Sequence, residues 1–221
     1  MHRSSRPHVR LVALSLSAIL FCLLSCAQPL ASVDARGFRY FEHPDPYDTW
    51  SWKISRWQLS QMNQSDAPTP ATDQDSLGSR YLHRRSELRQ SLAREIASWI
   101  QEEAKLWYTP DTAVDHWPTL EEVLASDGED CDGLELLVHQ ILLDLGFPAR
   151  EVYRAVVHRA SDDLYHMVTL WFEDPEDPWV IDPTGAMAQG MPRMSEIGGW
   201  VPLKLFSTTE EYTVRPGLRR H

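Results

Sequence analysis

Cys131 lies in the stretch DGEDCDG, residues 127–133, beside Asp127, Glu129, Asp130 and Asp132. The thiolate is the reactive form of cysteine, and nearby negative charge disfavours it. Such a placement calls either for an inert cysteine or for groups that offset the acids. The following residues, DGLELLVHQILLDLGFP, carry Leu134, Leu137, Ile141, Leu142 and Leu145 along one face and close on Gly-Phe-Pro, which predicts a helix. Asp130 suits its N-cap, so Cys131 falls in the first turn, where the helix dipole favours a thiolate.

A cysteine nucleophile also needs a base, and the base needs a group to orient it. His139 lies two turns along the same helix, too far along the axis to reach Cys131. His158, in VVHRA, stands near a strand end beside Arg159 and a turn, which predicts exposure. His166 opens HMVTLWF and shares its side of that strand with Val168, Leu170 and Phe172. An imidazole on a core-directed face needs a partner. Asp182 supplies one, because WVIDPTG sets this carboxylate at the end of a very apolar strand. Antiparallel pairing through the EDPEDP turn would make His166 and Asp182 cross-strand neighbours.

These residues need elements to hold them. SRYLHRRSELRQSLAREIASWIQEEAKLWY has the spacing of an amphipathic helix, with Leu82, Leu88, Leu92, Ile96, Ile100 and Leu106 on it. Thr119 and Glu122 predict a short capped helix over TLEEVLAS. REVYRAVVHRA, LYHMVTLWF, WVIDPTG, WVPLKLF and EYTVRP read as strands. Helices first and strands afterwards predict an α+β domain, with a meander packed on the cysteine helix.

Cys131 at a helix start, His166 opening a strand and Asp182 in IDPTG resemble the Cys-His-Asp triad of the transglutaminase-like, papain-related superfamily. The resemblance is nearer to the bacterial transglutaminase-like cysteine proteinases, envelope enzymes in which a tryptophan segment, a short helix and an acid-Cys-acid motif follow one another. DHWPTLEEVLASDGEDCDG has that order, with Trp117 ahead of Cys131, and HMV matches the histidine strand. The resemblance covers roughly residues 79–185 and implies a transglutaminase-like (papain-like) fold. It implies a hydrolase with Cys131, His166 and Asp182 as catalytic residues and a protein or peptide as substrate. Amide transfer to an amine, or a catalytically silent peptide- or wall-binding module, are the alternatives. Trp117 is a candidate oxyanion donor or a core anchor. The family also implies calcium on the acids flanking the cysteine, here Asp130 and Asp132; helix capping by Asp130 is the competing account. Gly133 stands where the family carries an acid, and Pro-Thr-Gly after the aspartate is closer to the broader group.

Residues 1–25 read as a secretory signal: Arg3, Arg6 and Arg10, then the apolar run LVALSLSAILFCLL, shorter than the roughly 20 residues of a membrane-spanning helix. LLSC resembles a lipobox, which would make Cys26 the lipid-modified first residue of the mature chain; ordinary cleavage just after SCAQPLAS is the alternative. Residues 26–78 read as a tether, with Trp50, Trp52 and Trp57 as docking candidates, and residues 79–221 as the peptidase domain. Loss of the three signal arginines takes the net charge from −11 to −14. So acidic a chain is a poor partner for nucleic acid or anionic lipid, and the membrane enters only through the lipid anchor. The implied location is the cell envelope, facing the periplasm or the cell surface.

Overall fold

The computed structural model describes residues 47–63, 76–110 and 116–215. They belong to two units, Met1–Pro68 and Thr69–His221. The signal run and Cys26 lie outside the described residues. In the first unit, helix α1 (Thr49–Met62) begins at Asp48, whose carboxylate accepts the Ser51 N–H at 2.6 Å. The aperiodic tether expected here therefore contains a helix: Trp50, Ile54 and Trp57 stand at helical spacing behind an N-cap. Trp50, Trp52 and Trp57 are all exposed.

The second unit opens with α2 (Leu77–Trp107), capped by Ser76. Its buried side runs Ala93, Ile96, Ala97, Ile100 and Ala104, a spacing of three and four that turns one stripe to the core. Just past its end the backbone meets the approach to the cysteine. Thr109 N–H donates to the Glu129 carbonyl at 3.0 Å, and Glu129 N–H to the Trp107 carbonyl at 2.9 Å. Gly128 permits this contact, since a Cβ there would lie 2.4 Å from Thr109 Oγ1 and 3.0 Å from the Trp107 oxygen. Helix α3 (Leu120–Ala125) starts with the full Thr119/Glu122 capping box. Helix α4 (Cys131–Asp144) starts at Asp130, whose Oδ1 accepts from Asp132 N–H at 3.0 Å and Gly133 N–H at 3.5 Å.

Five antiparallel strands follow: β1 (Val152–Arg159), β2 (Leu164–Trp171), β3 (Trp179–Ile181), β4 (Trp200–Phe206) and β5 (Glu211–Thr213), in spatial order β3-β2-β1-β4-β5. The meander ends at β3. The chain then returns past it, with Val180 N–H on the Pro192 carbonyl, and β4 pairs with the far edge of β1. A bulge between Val156 and Val157 faces Pro202 on β4, where the ring can donate nothing to the ladder. One sheet face packs Val152, Trp171 and Ile181 on α2 and α4. The other packs Ala155, Val157, Val168, Leu170 and Val180 with Trp200, Met187 and Ile197. The α+β class, the helix-on-sheet arrangement and the meander, as β1–β2–β3, hold, and the two closing strands add beyond β1 rather than beyond β3.

Candidate active site

Period-two alternation decides where the imidazole goes. His166 pairs with Val157 across β1–β2, and Thr169 with Ile181 across β2–β3. Asp182, one residue past β3, thereby falls on the same face as His166, Val168 and Leu170. The two side chains meet there, His166 Nε2 lying 2.8 Å from Asp182 Oδ1. With Nε2 on the carboxylate, Nδ1 is the ring nitrogen left to serve a thiol. Trp200 covers the imidazole at a centroid distance of 5.9 Å.

Asp182 is fully buried and densely solvated by protein donors. Oδ1 also accepts from Thr184 N–H at 2.9 Å and Gly185 N–H at 3.0 Å, while Oδ2 accepts from Met187 N–H at 2.5 Å and Ala188 N–H at 3.0 Å. Burial is the largest single influence on this carboxyl and raises its pKa. The His166 hydrogen bond, the His166 charge and the Ala188 and Met187 amides together outweigh it, holding the group below the ordinary carboxylate range. From behind, Gln101 of α2 donates to the Asp182 carbonyl at 2.9 Å. The Asp-Pro turn is thus a socket for one anion, which faces the histidine.

Cys131 is half-buried at the start of α4. It lines a cavity of about 460 Å³ whose walls also carry His166, Thr184, Tyr108, Leu164 and Tyr165. The structure therefore brings all three predicted catalytic residues to one place: Cys131 and His166 on the cavity wall, Asp182 behind the ring.

Trp117 goes elsewhere. It stacks on Phe206 at 5.4 Å and lines a different cavity, of about 550 Å³, with Val156 and Lys204. A flat indole half-exposed against a strand aromatic is a packing partner, so the oxyanion role does not fit its position. Tyr108, at the C-cap of α2, stands in the Cys131 cavity instead. His158 is held by Asp163 at 2.8 Å and lies against Tyr165. His139 is buried, with Nε2 lacking a hydrogen-bond partner among the described residues. Burial, the largest cause, depresses its pKa, the nearby Arg154 charge adds to this, and Glu135 opposes it.

Calcium takes six to eight oxygens, several of them from carboxylates. Asp130 spends Oδ1 on the helix cap, and Asp132 Oδ1 accepts from Gly133 N–H at 2.9 Å. Among the described residues no group of three or more His, Cys, Asp or Glu side chains gathers to hold a metal. A side chain at Gly133 would require Glu129 to shift, since a Cβ there would lie 2.9 Å from the Glu129 Cβ. Side chains alone do not complete a calcium shell among the described residues, and backbone carbonyls and waters, which such a shell also uses, would have to supply the rest beside Asp130 and Asp132. The chemistry below uses no ion.

A helix opening on a cysteine, packed on an antiparallel sheet that presents a histidine and an aspartate, defines the transglutaminase-like fold class. No family model and no curated protein matches the sequence. Among solved structures the chain is similar to LapG of Legionella pneumophila, a bacterial transglutaminase-like cysteine protease. The identity is 16%, the TM-score 0.50, and the match covers 72% of this chain and 86% of LapG. The EGTA-treated form of LapG gives a TM-score of 0.51 at 16% identity, covering 73% and 85%. A calcium-bound form has also been solved, with a TM-score of 0.48 at 16% identity, covering 76% and 91%. The likeness establishes the fold.

Proposed function

We propose that the protein is a cysteine endopeptidase that hydrolyses peptide bonds through Cys131, His166 and Asp182. The observation that carries this reading is the buried His166–Asp182 pair opening onto the cavity that Cys131 lines. His166 takes the thiol proton, and Asp182 fixes the imidazole tautomer and steadies the imidazolium. The thiolate attacks the scissile carbonyl carbon. The C–N bond then breaks, the amine leaves with the proton from His166, and a thioester remains on Cys131. Water gives up a proton to His166 and attacks the thioester; the C–S bond breaks, releasing the acid and restoring the thiol. The Cys131 backbone N–H at the helix start is the first oxyanion donor, and the Tyr108 hydroxyl is the upstream side chain suited to be the second.

Export and attachment through Cys26 to the cell envelope, where a protein or peptide substrate would be met, belong to the same proposal. Fatty-acid labelling that survives Cys26→Ser would refute the anchor.

The enzymatic reading is tested with p-nitrophenyl acetate and a peptide library. Wild type should show an acylation burst that iodoacetamide abolishes through Cys131, and Cys131→Ala should show none. A full burst in Cys131→Ala sinks the mechanism. Capture of an added primary amine in place of water would instead make the protein a transglutaminase.

A further inference from the structure

Glu135 lies on α4 one turn beyond the cysteine and is completely buried, although it is a carboxylate. Its Oε2 accepts from Arg154 Nε at 2.5 Å, and its Oε1 from the Thr169 hydroxyl at 2.6 Å. Arg154 belongs to β1 and Thr169 to β2, the strand that also carries His166. The same guanidinium donates Nη2 to the carbonyl of Asp132, the residue next to Cys131, at 2.9 Å. Its outer face lies 5.2 Å from the Phe206 ring of β4, against which Trp117 stacks. One buried carboxylate thus collects a donor from each of two strands, and its cation grips the first turn of the nucleophile helix.

We infer that Arg154, Glu135 and Thr169 are positioning residues that set the register between the start of α4 and strand β2, and with it the approach of the Cys131 thiol to the His166 ring. The inference rests on the triad reading above.

The physical reason lies in what a buried ion pair does well and badly. Desolvating two charges consumes most of their attraction, so apolar side chains of similar volume commonly match or exceed such a pair in stability. Apolar contacts have no preferred direction, however, and let a helix slide on a sheet by fractions of an ångström. A guanidinium fork on a carboxylate and a carbonyl fixes both distance and angle. A nucleophile and its base tolerate little slippage, since about 1 Å of misplacement costs on the order of a hundredfold in rate. The network joins the two elements that must not slip.

This predicts that stability and reactivity separate. The experiment compares wild type with the double variant Glu135→Leu/Arg154→Met, reading thermal unfolding and the rate of Cys131 alkylation by iodoacetamide at pH 6 and pH 9. The double variant, which leaves the Thr169 hydroxyl without its acceptor and the Asp132 carbonyl without the guanidinium, should unfold within a few degrees of wild type rather than collapse. Its alkylation should fall by about tenfold or more at pH 6, where reactivity depends on the imidazole, and stay within about twofold at pH 9. Thr169→Val, which removes only the β2 contact, should lower the pH 6 rate by about threefold. If the double variant fails to fold, Thr169→Val and Arg154→Lys decide by the same ratio of rates. A variant ratio equal to that of wild type overturns the inference alone. An ordinary thiol profile in the wild-type protein overturns the triad reading, and this inference with it.

Discussion

Replacing Asp182 by asparagine probes the socket and the triad together. The side chain keeps its size, and one oxygen can still accept from His166. The other oxygen becomes an NH₂ donor, facing the Met187 and Ala188 N–H groups that now donate to Oδ2 at 2.5 and 3.0 Å. A fully buried donor left without an acceptor costs about 1–3 kcal/mol, and these two amides are part-buried, so the variant should lose roughly 2–4 kcal/mol. For a domain of this size that is a fall of about 5–15 °C in Tm. The acid limb gives a second reading. Because the folded-state pKa of Asp182 is depressed, its contribution is fully present above the unfolded carboxyl value and is lost as pH falls through the folded one. The gap in Tm between wild type and Asp182→Asn should therefore close below about pH 4, near the ordinary aspartate pKa. Turnover should drop by up to about 10⁴-fold, because the amide no longer selects the required tautomer. Thermal melts across pH and steady-state kinetics on a cleaved peptide measure both effects. Equal stability at neutral pH would refute the socket argument. A variant within twofold of wild-type turnover would refute the orienting role.

Three further outcomes follow from the same geometry. Tyr108→Phe should cut the acylation rate of p-nitrophenyl acetate by about 10²-fold without changing Tm or Cys131 alkylation, if the hydroxyl is the second oxyanion donor. His139 is buried with a depressed pKa, so it contributes stability above its unfolded value of about 6.5 that is lost as pH falls toward the folded one. His139→Met should flatten the dependence of Tm on pH between about 6.5 and 5, and an unchanged slope would count against a neutral buried imidazole. With Asp130 and Asp132 as calcium ligands, added calcium should raise Tm by several degrees over EGTA; equal Tm and equal Cys131 alkylation in the two would count against the site.

The groups that sequence reading brings forward are those whose placement depends on local pattern. Asp130 caps α4 because an acid immediately precedes an apolar repeat, and that spacing alone sets Cys131 in the first turn. His166 faces the core because alternation along one strand dictates it, and the antiparallel β2–β3 register, with Thr169 on Ile181, sets Asp182 on the same face one diagonal step away. Tyr108 and the placement of Trp117 depend on contacts between segments far apart in the chain. Nothing near Trp117 announces Phe206 as its stacking partner. The neighbours of β1 were equally hidden, since a strand pattern specifies a strand without naming what lies beside it. The return of the chain after β3, which carries β4 across to β1, is decided by tertiary packing of Met187, Ile197 and Trp200.

Glu135 marks the boundary between the two kinds of information. Glu135 and His139 stand four residues apart on a helix that also carries five leucines, Val138 and Ile141, and both are buried. A polar pair on an apolar stripe demands partners, since a carboxylate without them would cost several kcal/mol. Sequence can raise that demand but cannot answer it, because Arg154 and Thr169 reach Glu135 only through the β1–β2 register. The acids around Cys131 pose the same problem in reverse. Their number invites a bound cation, yet Asp130 is engaged by the helix amides and Glu129 crowds the space above Gly133. One charge that does grip the first turn of α4 is the guanidinium of Arg154, delivered from the sheet to the Asp132 carbonyl. A lone acid on an apolar face is therefore a guide to where the helix is held.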